Sequence, residues 1–112
     1  MMRRSDTAVV ERNRAWSGAF ATEPYEAGWA GEAIFFVRAL KVVGTPGTAS
    51  ARVQISPDGI RWCDEGTTVP LPSRDEGVTF ARVRHFGGWL RLAGELPAGL
   101  EIRVLVTLSL KE

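Results

Sequence analysis

The chain has 112 residues, the size of one domain and enough to bury a core without disulfides or metal. Hydrophobic residues make up 45% and charged residues 24%, which excludes a disordered chain. The 14 Lys and Arg against 13 Asp and Glu leave a net charge of +1, which argues against nucleic-acid binding driven by charge, and the lone Cys63 excludes an internal disulfide.

The opening MMRRSDTAVVERNRAW carries Arg but no apolar stretch of the kind a signal peptide needs. No apolar run approaches the ~18 residues of a membrane span. The expectation is therefore a chain folded in a cytoplasm, with no membrane partner. Residues 1–8 are polar and without period, and predict a flexible arm carrying Arg3 and Arg4. Residues 9–112 read as a single β domain.

Strand signals follow at short intervals. Residues 9–15 read as a first strand, broken by Ser17-Gly18, and 19–22 as a second. A loop with Tyr25 and Trp29 in it covers 23–31. The stretch 33–43 (AIFFVRALKVV) reads as a strand with two apolar faces, Ile34, Phe36, Leu40 and Val42 on one and Phe35, Val37, Ala39 and Val43 on the other. A turn is expected at 44–47. Residues 51–56 alternate cleanly, with Ala51, Val53 and Ile55 inward. Pro57-Asp58-Gly59 reads as a tight turn, and 60–64 as the returning arm of a hairpin. A short strand at 67–71 ends in prolines. In 78–86 (VTFARVRHF) the apolar phase slips near Arg82, which predicts a bulge. Gly87-Gly88 turns the chain into another strand at 89–92, before a turn at 96–99.

The last segment gives the clearest pattern. Leu100, Ile102, Val104, Val106, Leu108 and Leu110 alternate with Glu101, Arg103, Leu105, Thr107, Ser109 and Lys111. Strict period-two alternation over this length is hard to obtain from a helix. One face is buried and the other solvated, as in an antiparallel sheet. The chain thus reads as an all-β antiparallel sandwich or jelly roll of about seven or eight strands. Its core should contain Val53, Ile55, Ile102, Val104, Val106 and Leu108.

Chemistry is harder to find. A metal site needs clustered Cys, His, Asp or Glu, and this chain has one His and one Cys, 22 positions apart. Cys63 and His85 make a nucleophile and base only if the fold joins them. The acidic pairs Asp64-Glu65 and Asp75-Glu76 sit beside turns and read as solvated. Asp58 lies in a loop with too few oxygens for calcium. No phosphate-binding glycine loop or nucleophile elbow is present. The reading is of no catalytic residue, no metal and no cofactor.

One local pattern is familiar. GTASARVQISPDGIRW (47–62) gives a strand, a Ser-x-Asp-Gly-x-x-Trp hairpin and a second strand, followed by Phe-Gly-Gly-Trp-Leu-Arg-Leu at 86–92. It resembles the small β-sandwich modules of phage virion proteins and, more loosely, discoidin-type jelly rolls. The resemblance covers roughly two thirds of the chain and implies a structural role, in which such modules decorate shells, cap tails or display a binding face. It implies no catalytic residues. The chain lacks the secretion signal and disulfide of the discoidin pattern.

These readings converge on a structural module of a virion or virus-like shell, bound to a major shell or tail protein. It is expected as a homo-oligomer assembled in the cytoplasm. The second apolar face of 33–43 needs cover from Trp16 and Phe20 or from a neighbouring subunit, which makes Arg3, Arg4, Trp16, Phe20, Phe35 and Val37 the candidate interface. The alternative is a carbohydrate-binding module that stacks sugars on Tyr25, Trp29 and Trp89.

Overall fold

The computed structural model describes residues 3–44 and 49–112. Met1, Met2 and residues 45–48, which hold most of the expected turn at 44–47 and the start of the phage-like pattern, lie outside the described residues. Nine strands run in order: β1 (Ser5–Trp16), β2 (Ala19–Ala21), β3 (Tyr25–Glu26), β4 (Glu32–Val43), β5 (Ser50–Ser56), β6 (Cys63–Pro70), β7 (Val78–Arg84), β8 (Trp89–Glu95) and β9 (Glu101–Lys111). There is no helix among the described residues. One antiparallel sheet has the order β1-β9-β4-β7, and the other β2-β8-β5-β6, with β3 pairing beside β2 on β8. The chain is all-β and forms a β-sandwich.

The alternation of β9 sets the register of its sheet. Ile102, Val104, Val106 and Leu108 are fully buried. On the neighbouring strand Phe35 lies opposite Leu108, Val37 opposite Val106 and Ala39 opposite Val104. Paired residues share a face, so these three β4 side chains point inward and have no exposed surface. The facing sheet supplies Ala51, Val53, Leu90 and Leu92, also fully buried. Five of the six expected core residues are fully buried, and Ile55 is half-buried at the margin of the core.

Four details differ from the sequence reading. Strand β1 begins at Ser5, and Ser5 to Ala8 pair with Lys111 to Leu108, so the second half of the expected arm is an edge strand of the sheet. Its polar composition reflects edge position, because charge and bulges protect an edge strand from further pairing. Bulges follow Val9 and Glu11, and Asn13 has a φ of 53°. Second, 60–64 is not a strand in full. The loop runs on to Trp62, and 63–70 forms one strand through Gly66. Third, β7 pairs with β4 without any slip of register. Ala81 and Val83 face the core, while Val78 and Phe80 face outward, so the apparent slip in the sequence marks apolar residues on both faces rather than a bulge. Fourth, Tyr25–Glu26, read as loop, adds a short strand to β8.

Trp16 and Phe20 close one end of the sandwich. Between them the chain crosses from one sheet to the other at Gly18, with a φ of 60°. Their rings stack at 3.9 Å, and Trp16 is 2% exposed. Phe20 lies over Gly94 of β8, where a Cβ would come within 2.8 Å of the ring. The missing side chain is what admits the ring.

Candidate functional site

The two sheets turn different chemistry toward solvent. On the four-stranded sheet, cross-strand pairing lines up outward-facing rows. One row runs Val9, Thr107, Phe36, Phe80. The row on one side of it holds Leu105, Arg38 and Val78, and the row on the other Thr7, Ser109, Ile34 and Arg82. Among the described residues the large hydrophobic side chains that stand exposed are Val9, Val43, Ile60, Val78 and Phe80. Four of these, Val9, Val43, Val78 and Phe80, lie on this face, Val43 at the end of β4 opposite Glu101. Half-buried Ile34, Phe36 and Leu105 join them in an apolar band, crossed by Thr107 between Val9 and Phe36 and by Arg38 between Leu105 and Val78. The Phe36 and Phe80 rings meet across the strands at 6.1 Å, and the Arg82 guanidinium lies 5.1 Å from the Phe80 ring centre. A band of this kind on a folded surface marks a contact site.

Charged side chains border the band unevenly. Toward the β3 to β4 end, a shallow groove is lined by Glu32, Ile34, Arg82, Arg84, Ser109 and Lys111. Among the described residues no acid lies within ion-pair distance of Arg82, Arg84 or Lys111. At the other end the acids are already engaged. Glu76 pairs with Arg38, Asp75 with Lys41 at 3.7 Å, and Asp75 also accepts the Val42 N–H at 2.8 Å.

The outer face of the second sheet is a closed polar network. Arg91 Nε donates to Gln54 Oε1 at 2.8 Å, and Gln54 Nε2 donates to Asp64 Oδ1 at 2.9 Å. Arg52 approaches the same Asp64 oxygen at 3.4 Å. The Gln54 hydrogen bond and the Arg52 charge hold the Asp64 carboxyl below its usual range. Arg91 also lies 4.3 Å over the Trp62 ring, and its burial pulls its own pKa down.

The Ser-x-Asp-Gly-x-x-Trp pattern is accounted for by its loop. Asp58 Oδ1 accepts the Arg61 and Ile60 N–H groups, each at 2.9 Å, and the Ser56 hydroxyl at 2.9 Å. Its Oδ2 meets Arg61 Nη1 at 2.8 Å. These bonds, the backbone ones first, lower the Asp58 pKa from 3.8 to about 2. Ser56 Oγ in turn accepts the Gly59 N–H at 2.8 Å. Gly59 has a φ of 78° and lies against the Trp89 ring, where a Cβ would come within 3.1 Å. Both Asp58 oxygens are thus committed to the chain's own donors.

The expected interface residues separate under this geometry. Phe35 and Val37 are wholly inside the sandwich, covered by the facing sheet, so they are not interface residues. Over 33–39 the assigned phase must be reversed, because β9 dictates it through pairing, and Ile34 and Phe36 face outward; past the register shift between Ala39 and Lys41, Val42 lies opposite Ile102 and packs against the core while Val43 is exposed. Trp16 is buried and stacked on Phe20, which removes it from any surface. Arg4 is tied to its own chain. Its guanidinium pairs with Asp6 at 3.0 Å and lies 4.0 Å over Trp29, and its N–H donates to Glu112 Oε1 at 3.0 Å. Arg3 is exposed. The sequence reading missed Val9, Val78, Phe80 and Leu105, whose signal was an apolar residue on the polar phase of a strand.

Tyr25, Trp29 and Trp89 do not form a platform. Each is half-buried, Trp29 under Arg4 and Trp89 beneath Gly59. The ring pairs among the described residues are Trp16 with Phe20 and Phe36 with Phe80. Cys63 and His85 do line one groove, with Ser56 and Phe86 beside them. Both are exposed, and no hydrogen bond joins them.

No family model matches this chain, and no curated protein matches it. Among solved structures it is similar to the SPBc2 prophage-derived protein YomS, with a TM-score of 0.60 over 100% of this chain and 96% of that one, at 8% identity. The fold is shared with a prophage-derived protein from end to end.

Proposed function

We propose that this chain is a non-enzymatic structural module of a phage-type virion or virus-like shell, and that it docks onto a larger protein assembly through the outer face of the β1-β9-β4-β7 sheet. The observation that carries the proposal is the apolar band of Val9, Phe36, Leu105, Val78 and Phe80 on a sheet whose inner face is already fully packed. A sandwich needs one buried face per sheet, so a second apolar face gains nothing for the fold and serves contact with another protein. The shared fold with a prophage-derived protein supports the phage setting. Homo-oligomerisation, expected from Phe35 and Val37, loses that argument, since both are covered within one chain.

The test is incorporation into particles. The wild-type chain is expected to co-purify with virions in fixed ratio. Phe80→Glu, at a side chain 47% exposed, is expected to fold normally and remain in the soluble fraction. Normal incorporation of that variant removes this face from the proposal.

A further inference from the structure

The border of the apolar band specifies its occupant. We infer that the docking partner is a protein surface with an apolar centre and uncommitted carboxylates at one end, which meet Arg82, Arg84 and Lys111. This rests on the docking role proposed for the same face.

Pairing places these cations together. Arg82 lies opposite Ile34, Arg84 opposite Glu32, and Glu32 opposite Lys111. Three positive side chains and one negative one therefore share the groove at one end of the band. Guanidiniums beside an apolar surface favour carboxylates, which they bind in a fork that a lone ammonium does not offer. The groove is continuous with the band through Ile34 and through Arg82, which lies over Phe80. A partner that covers the band thus places its own border on these cations.

A second copy of this chain is a poor match. In a face-to-face pair the cationic end of one copy meets either the same cations or the far end of the other. There Glu76 and Asp75 are held by Arg38 and Lys41, and Glu101 shares its surroundings with Arg103 and Lys41. That end offers little uncommitted negative charge. Single-stranded nucleic acid is also disfavoured, although Phe36 and Phe80 are rings on an open sheet. Aliphatic Val9, Val78, Ile34 and Leu105 fill the rest of the band, and Arg82 already occupies the Phe80 ring. Stacking sites for bases need free ring faces.

The experiment uses the full chain and two synthetic amphipathic helical peptides with the same apolar face. One ends in glutamates, the other in lysines. The glutamate peptide is expected to bind about tenfold more tightly, with the preference fading in high salt. The double variant Arg82→Glu with Arg84→Glu is expected to reverse the preference, while Arg82→Lys with Arg84→Lys retains it. Phe36→Ser with Phe80→Ser should weaken both peptides equally. Equal binding of the two peptides overturns the charge inference and leaves the docking face standing. Binding of neither overturns both. Self-association in sedimentation that Phe80→Ser abolishes, or tight binding of oligo-thymidine competing with the glutamate peptide, overturns the acidic protein partner in favour of a second copy or a single strand.

Discussion

The two outer faces of this sandwich are built on the same backbone pattern and finished differently. On the β2-β8-β5-β6 sheet, Arg91, Gln54, Asp64 and Arg52 satisfy one another, and Trp62 lies under Arg91. On the β1-β9-β4-β7 sheet, Phe36, Phe80, Val9 and Val78 meet solvent beside Arg82, Arg84 and Lys111, which make no ion pair among the described residues. A closed network has little to offer a partner, because each of its groups must first be released. An apolar band loses water on contact and gains from it. On the function proposed here, the first face is left to solvent and the second serves assembly.

The sharpest way to break this comparison uses neighbours on one strand. Phe35→Asp places an uncompensated charge in the core and should prevent folding, at a cost of several kcal/mol, comparable with the whole stability of a small domain. Phe36→Asp, one residue on, should cost roughly 1 kcal/mol and leave a folded protein. Thermal unfolding of the pair decides the phase, and similar melting curves contradict it. Gly94→Ala probes the Trp16–Phe20 end plug. The added Cβ lies within 2.8 Å of Phe20 and 3.2 Å of the Ser50 carbonyl, so overpacking of about 1–3 kcal/mol is expected in denaturant unfolding. No effect would return Phe20 to the surface. Gln54→Ala opens the polar network, and its fall in melting temperature should be smaller than that of either core change.

Asp58 gives the smallest effect and the most local one. Its folded pKa of about 2 lies below the usual 3.8, so its stabilisation of the 56–61 loop is complete above about pH 4 and is lost as pH falls through 2. An NMR titration of the side-chain carboxyl should give a midpoint near 2. A midpoint near 3.8 would mean that the backbone donors do not hold it.

Much of this fold was legible in the sequence, for particular reasons. Strand β9 alternates strictly, β5 alternates cleanly over its short length, and the β-branched and aromatic residues of β4 favour a strand over the competing helix. What was not legible depended on which strands pair. In β4 both phases are apolar, and only its register against β9 makes Phe35 inner and Phe36 outer. The apolar phase of β7 changes between Phe80 and Ala81, which in isolation reads as a bulge. Beside β4 it becomes half of an outward apolar face. The polar segment at 5–8 has no periodicity of its own and is a strand because Leu108 to Lys111 lie next to it. The outward apolar residues were missed because an apolar side chain on a solvent phase violates the pattern used to find strands.

The central claim is that the four-stranded sheet's outer face is covered in the assembled state and the other outer face is not. Cysteine labelling measures this directly. In a Cys63→Ser background, Phe80→Cys places a thiol on the first face and Thr68→Cys places one on the second, both at exposed positions. In the free protein the two thiols should label alike. In the purified particle the account predicts that the thiol at 80 is protected while the one at 68 still labels. Equal labelling at both positions, or protection at 68 alone, would contradict it.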